Sequence, residues 1–178
     1  MKNFLPLSLF ILLPILSFGK SMGTHEHGAL KLEIAAEEKS IDIDLDGPSE
    51  AFIGFEYLPS SAKEKETFTK AQDLWTNDLL TKLFVLDSSL NCKIVSSSFK
   101  QIIENDNHKA HNKHKKNSGV HSEIEAQAKI TCEKVIKDQS IAIALKKHYP
   151  LMKKILIDLL GSKPRTLNST LPIENLKL

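Results

Sequence analysis

The sequence predicts an α+β protein: a mainly antiparallel β-sheet with one long amphipathic helix and a His-rich loop in a disulfide-clamped hairpin. Three observations support this class. Several short segments alternate apolar and polar residues, one segment has helical spacing, and a polar stretch rich in histidine separates two alternating segments. The helical segment is not interleaved with the strands, which favours α+β over α/β.

The first 19 residues have the layout of a secretory signal peptide. Lys2 gives a basic start, residues 4–16 form an apolar run, and residues 17–19 supply small residues for cleavage. The run is short for a membrane span, which needs about 20 residues. We therefore expect a periplasmic protein with one metal-binding domain at residues 20–178 and no stable membrane insertion. An uncleaved membrane anchor is the alternative.

Composition and motifs exclude several classes of function. The formal net charge is +2 and Arg165 is the only arginine, which argues against a nucleic-acid partner. The sequence has no nucleophile elbow, no glycine-rich phosphate loop and no His-Glu-x-x-His helix. These absences favour a binding protein over an enzyme.

The first predicted strands form a hairpin with one buried face. Residues 29–35 and 41–45 alternate and are separated by a polar turn at residues 37–40. The inward-facing side chains should be those of Leu30, Leu32, Ile34, Ile41, Ile43 and Leu45. Further strands are predicted at residues 92–103, 122–132, 141–145, 155–160 and 165–171, for a total of five to seven.

Residues 61–83 are predicted to form the long helix. Ser61 and Glu64 make a capping box at its start. The apolar stripe that should dock on the sheet comprises Phe68, Ala71, Leu74, Trp75, Leu79 and Leu83. Residues 49–59, before this helix, should be irregular or a short helix packed by Phe52, Ile53 and Phe55.

The two cysteines are predicted to pair. An even number of cysteines in an exported chain indicates a disulfide, here between Cys92 and Cys132. If they face each other across an antiparallel pair of strands, the hairpin tip lies near residue 112. The alternative is two buried free thiols.

Six of the seven histidines fall in two polar tracts, which points to metal binding. His25 and His27 flank Glu26, and in an extended chain they project from one side. The alternative for this tract is a pair of solvated histidines in a mobile N-terminus.

The second tract lies in the loop at residues 104–121. It contains His108, His111, His114 and His121. Neighbouring lysines oppose cation binding, so we expect a modest, rapidly exchanging site. A solvated linker is the alternative. Zn²⁺ is the expected ion, and Cu²⁺ or Ni²⁺ would also bind such clusters.

The chain resembles the ZrgA-like family of zinc-regulated periplasmic zinc-binding proteins, formerly a domain of unknown function. The matching features include the His-Glu-His-Gly opening at residues 25–28, Gly-Pro-Ser at 47–49, Ile-Gly-Phe-Glu at 53–56, and the His-rich insertion between the cysteines. The resemblance implies zinc binding in support of an ABC-type importer, and it adds Glu56 as a candidate metal residue. Tyr57 departs from the histidine often found there, and the insertion is shorter and richer in lysine.

The sequence thus leads to one main hypothesis, a periplasmic accessory protein that captures Zn²⁺ and supports its uptake. Two alternatives stay open. An exported metallohydrolase would need an open metal site and a general base such as Glu26 or Glu56. An envelope structural protein would carry the His-rich loop incidentally.

Overall fold

The structure is a computed structural model that describes residues 29–103, 121–161 and 164–178. The strands in this part of the chain are β1 (Ala29–Ala36), β2 (Ser40–Pro48), β3 (Phe84–Leu86), β4 (Lys93–Ile103), β5 (Ser122–Thr131), β6 (Ser140–Ile143), β7 (Lys154–Leu160), β8 (Arg165–Ser169) and β9 (Glu174–Lys177). The α-helices are α1 (Glu50–Ile53), α2 (Ala62–Thr76) and α3 (Leu145–His148).

The strands form two sheets. The larger has the order β4-β5-β2-β1-β7-β8, and the smaller has the order β3-β6-β9. Within the described residues every pair is antiparallel except β1 with β7. The prediction of a mainly antiparallel sheet is confirmed.

The core lies on one face of the larger sheet, against α1, α2 and the smaller sheet. The six side chains predicted to point inward from β1 and β2 are all buried. Trp75 of α2 is also fully buried, and its Nε1 donates a hydrogen bond to the backbone oxygen of Gln127 at 3.1 Å. This bond fixes α2 against β5.

The predicted long helix is wrong in its extent. The capping box of Ser61 and Glu64 is present, but α2 ends at Thr76 after 15 residues. Asn77 and Asp78 follow, and both residue types are poor helix formers because their side chains compete for backbone hydrogen bonds. A π-helical turn at Leu79–Leu83 follows and buries Leu79 and Leu83. The apolar spacing was correct, but the helices are short.

The hairpin of β4 and β5 is closed at its base by the predicted disulfide between Cys92 and Cys132, with an S–S distance of 2.02 Å. Next to it Lys93 faces Thr131, and at the far end Ile103 faces Ser122. A bulge between Ile94 and Ser96 shifts the register by one residue. The segment that joins the two strands lies outside the described residues.

Two strands were not predicted from the sequence, β3 and β9. The first has three residues, Phe84–Leu86, and the second is mostly polar, so neither shows a long alternating pattern. The predicted strand at 141–145 ends at Ile143, because Leu145 begins the short helix α3. The short helix α1 lies within residues 49–59, which were predicted to be irregular or a short helix, and its Phe52 and Ile53 are buried as expected.

Candidate metal centre

Two of the predicted site residues, His121 and Glu56, are in direct contact. The Nδ1 atom of His121 lies 2.5 Å from Oε2 of Glu56. The histidine side chain is 51% exposed, whereas that of the glutamate is only 19% exposed. The pair is therefore a half-buried carboxylate that holds one edge of an accessible imidazole ring.

The contact determines which nitrogen of His121 is available to coordinate a metal ion. An ionised carboxylate only accepts hydrogen bonds, so Nδ1 of His121 carries the proton of the ring and donates a hydrogen bond to Glu56. In the neutral ring the lone pair is then on Nε2, at the opposite edge of the imidazole. Nε2 is the nitrogen that can coordinate a metal ion.

Glu56 is held in place at the turn that follows α1. Gly54 ends this helix with φ +84°, a left-handed conformation that glycine adopts at little cost. The backbone oxygen of Glu56 accepts a hydrogen bond of 2.7 Å from Oγ of Ser122, the first residue of β5. Ser122 directly follows His121, so one contact fixes the backbone of both partners.

The far end of this segment is tied to the start of α2. Oε2 of Glu64 accepts hydrogen bonds from the backbone N–H groups of Ser60 and Ser61, and Oε1 accepts one from the hydroxyl of Tyr57. The bonds from Ser61, Ser60 and Tyr57 lower the pKa of Glu64 to about 2. The ring of Tyr57 also stacks on that of Phe55, with centroids 5.0 Å apart.

The other predicted ligands lie outside the described residues: His25, His27, His108, His111 and His114. Within residues 29–103, 121–161 and 164–178 no group of three or more His, Cys, Asp or Glu side chains could hold a metal ion. Both thiols are in the disulfide, which leaves nitrogen and oxygen donors. His121 and Glu56 alone do not complete a coordination sphere.

The segments that carry those histidines nevertheless adjoin one end of the larger sheet. β1 begins there, β2 and β4 end there, and β5 begins there, as their antiparallel registers require. His25 and His27 precede β1, and the His-rich loop joins β4 to β5. The pair of His121 and Glu56 lies at this same end.

Sequence reasoning missed the polar residues beneath the pair, which are Ser49, Gln101 and Ser122. Ser122 and Ser49 are buried, and Oγ of Ser122 accepts a hydrogen bond of 2.8 Å from Nε2 of Gln101. A signal for Ser122 existed, because it occupies an inward-facing position in the alternating pattern of β5. A serine at such a position needs a buried polar partner.

The fold and the pair define a class, a disulfide-bonded α+β protein with a candidate histidine–carboxylate metal centre. Comparison with known families is more specific. The chain belongs to the ZrgA family: the model described as "ZrgA family zinc uptake protein" matches residues 24–174. This confirms the resemblance and shows a protein related to zinc uptake. No curated protein matches the sequence.

Among the described residues, none of the helices has both the length and the apolar character that a membrane crossing requires.

Proposed function

We propose that this protein is a periplasmic zinc-binding accessory protein, which captures Zn²⁺ through histidine side chains and supports uptake by an ABC-type importer. The observation that carries the proposal is the contact of His121 with Glu56 in a member of a zinc uptake family. The zinc ion is the cargo, so it should bind accessibly and exchange readily. The half-exposed ring of His121 suits that role.

In this proposal His121 is a zinc ligand through Nε2, and Glu56 is the residue that orients it. Histidines that bind zinc commonly donate their other ring N–H to a carboxylate, which fixes the ring and raises the basicity of the ligating nitrogen. Glu56 occupies that position. This refines the expectation for Glu56 from direct ligand to orienting partner.

The remaining ligands of the site at His121 come, in this proposal, from His25 and His27. Zinc is usually bound by four ligands, and the described residues supply too few. Neighbouring strands lie about 4.8 Å apart, so the starts of β1 and β5, with β2 between them, are separated by roughly 10 Å. His25 and His27 precede β1 closely enough to reach an ion near His121.

The compartment is also part of the proposal. A disulfide such as that of Cys92 with Cys132 persists in oxidising environments, including the bacterial periplasm. The signal-peptide layout of residues 1–19 supports the same location.

In the proposed function the protein binds and releases an ion, and it neither forms nor breaks a covalent bond. A metallohydrolase is the competing possibility, because a metal centre with an open position can activate water. Assays of the zinc-loaded protein against ester, phosphate-ester and peptide substrates separate the two. We expect no turnover that depends on Glu56 or His121.

Competition titration with a chromogenic zinc chelator tests the proposal. The variants are His121→Ala and Glu56→Gln, and the matched control is His148→Ala at the end of α3. We expect weaker zinc binding for both site variants. Glu56→Gln, which changes the residue that orients the ligand, should lower the zinc affinity about 10–100-fold. The control should match the wild-type protein. Unchanged affinity in His121→Ala would overturn the assignment of this residue.

A further inference from the structure

We infer that Gln101 and Ser122 are positioning residues that hold His121 and Glu56 in the arrangement that binds metal. The inference rests on the proposed function. Neither residue touches the ion in this arrangement. They act on the two chain segments that carry the pair, the turn after α1 and the start of β5.

Ser122 supplies the first link. Its side chain is buried, with 2% of the residue exposed, and Oγ lies 2.7 Å from the backbone oxygen of Glu56. A carbonyl oxygen can only accept, so the single hydroxyl proton of Ser122 goes to Glu56. Oγ of Ser49, also buried, lies 3.0 Å from Oγ of Ser122. The start of β5 is thus bonded to the residue that orients His121.

Gln101 supplies the second link, from the neighbouring strand β4. Its Nε2 donates to the backbone oxygen of Tyr57 at 3.0 Å and to Oγ of Ser122 at 2.8 Å. The amide orientation is fixed, because the carbonyl of Tyr57 accepts only and must face the nitrogen. Each partner of Gln101 directly follows one member of the pair: Tyr57 follows Glu56, and Ser122 follows His121.

One amide group therefore clamps together the two backbone segments whose side chains form the contact. Without this clamp, the half-exposed ring of His121 would be held to Glu56 by a surface contact alone. Exposed charged contacts are weak, because solvent competes and side-chain entropy opposes them. The clamp, in which Ser122 is buried and Gln101 is partly buried, lowers the entropic cost of placing the ring.

Gln101 also has a feature that lowers the stability of the fold. Oε1 of Gln101 is buried and has no hydrogen-bond partner among the described residues. A buried acceptor without a partner is unfavourable for stability. An apolar side chain of similar length would remove that cost, so the amide fits a role in positioning better than one in packing.

The test compares Gln101→Met and Ser122→Ala with two controls. Gln72→Met removes another glutamine that clamps β4, through its 3.1 Å bond to the backbone oxygen of Phe99, but it does not involve the pair. Ser122→Thr keeps the hydroxyl. For each variant we measure zinc affinity by chelator competition, stability in urea, and the tautomer of His121 by long-range ¹H–¹⁵N NMR of the metal-free protein.

We expect Gln101→Met and Ser122→Ala to bind zinc about tenfold more weakly, at the lower end of the range for residues that support ligands. The protonation of His121 should no longer be confined to Nδ1. Gln72→Met should keep wild-type affinity and tautomer whatever its stability, and Ser122→Thr should restore both. Wild-type tautomer and affinity in both test variants would overturn the inference.

This outcome is separable from a failure of the proposed function. If His121→Ala binds zinc as the wild-type protein does, the proposed ligand is wrong. If His121→Ala weakens binding while both positioning variants retain wild-type affinity and tautomer, the ligand stands and only the role of Gln101 and Ser122 is rejected.

Discussion

The hydroxyl of Tyr57 donates a hydrogen bond of 2.9 Å to Oε1 of Glu64, and this bond joins the segment that carries Glu56 to the first turn of α2. The same carboxylate accepts the backbone N–H groups of Ser60 and Ser61. The side chain of Glu64 therefore caps the start of α2 and also holds the turn beside the candidate metal centre.

Replacing this carboxylate should change how the stability of the fold depends on pH. The pKa of Glu64 is lowered from 4.5 to about 2, first by the bond from Ser61, then by those from Ser60 and Tyr57. A lowered pKa means that the charged form stabilises the fold above pH 4.5 and that this contribution is lost as pH falls toward 2. Glu64→Gln should be less stable than wild type at neutral pH, with a difference that shrinks in acid.

Urea unfolding at a series of pH values measures this difference. Glu66→Gln is the matched control, because Glu66 lies on the same helix and its pKa is also lowered, by the exposed ion pair with Lys70. An exposed pair contributes little, so the control should change the pH profile less. Equal profiles for the two variants would contradict the role assigned to Glu64.

The elements that the sequence predicted correctly are those whose pattern is local. The alternation in β1 and β2 gave the buried face, and the capping box located the start of α2. The end of α2 was not predictable in the same way, because Leu79 and Leu83 keep helical spacing while the backbone forms a π-helical turn. Side-chain periodicity does not distinguish these two backbone geometries.

The candidate site was predictable only in part. Its residue types followed from the histidine tracts and from the family resemblance that supplied Glu56. Their contact was not predictable, because His121 and Glu56 are 65 positions apart and meet through the pairing of β2 with β5. Gln101 gave no signal, since its role depends on which backbone oxygen the fold brings opposite its amide.

The disulfide should stabilise the fold without controlling metal affinity. Cys92 and Cys132 are separated by 40 positions, and closing a loop of that length contributes roughly 4 kcal/mol if loop entropy is its whole effect. The disulfide lies at the opposite end of β4 and β5 from His121. Cys132 follows His121 by 11 positions, and strands rise about 3.4 Å per residue, so roughly 35 Å separates the two sites.

Replacing both cysteines with serine, which avoids a lone thiol, tests this separation. We expect a loss of up to about 4 kcal/mol in the free energy of unfolding, together with wild-type zinc affinity in the folded protein. Chemical unfolding and chelator competition on the same sample measure both. A large loss of zinc affinity with little loss of stability would reverse the assignment and link the disulfide to the metal centre.

Zinc should bind in two classes of site, a tighter one that uses His25 and His27 and a weaker one in the His-rich loop. The first tract directly precedes β1, at the end of the sheet where His121 and Glu56 lie. Folding therefore already restricts part of the conformational freedom that this tract would lose on binding zinc. The loop carries Lys109, Lys113, Lys115 and Lys116, and like charges oppose the approach of Zn²⁺.

Two variants distinguish these classes by competition titration. His25→Ala combined with His27→Ala should remove the tighter class and leave the weaker. Deletion of residues 106–116 keeps His121 and should do the reverse, while His148→Ala should keep both. Binding in both classes should weaken as pH falls, because a protonated imidazole cannot coordinate metal. If the deletion abolishes the tighter class instead, the loop is the principal site and the order of the two is the reverse of that proposed.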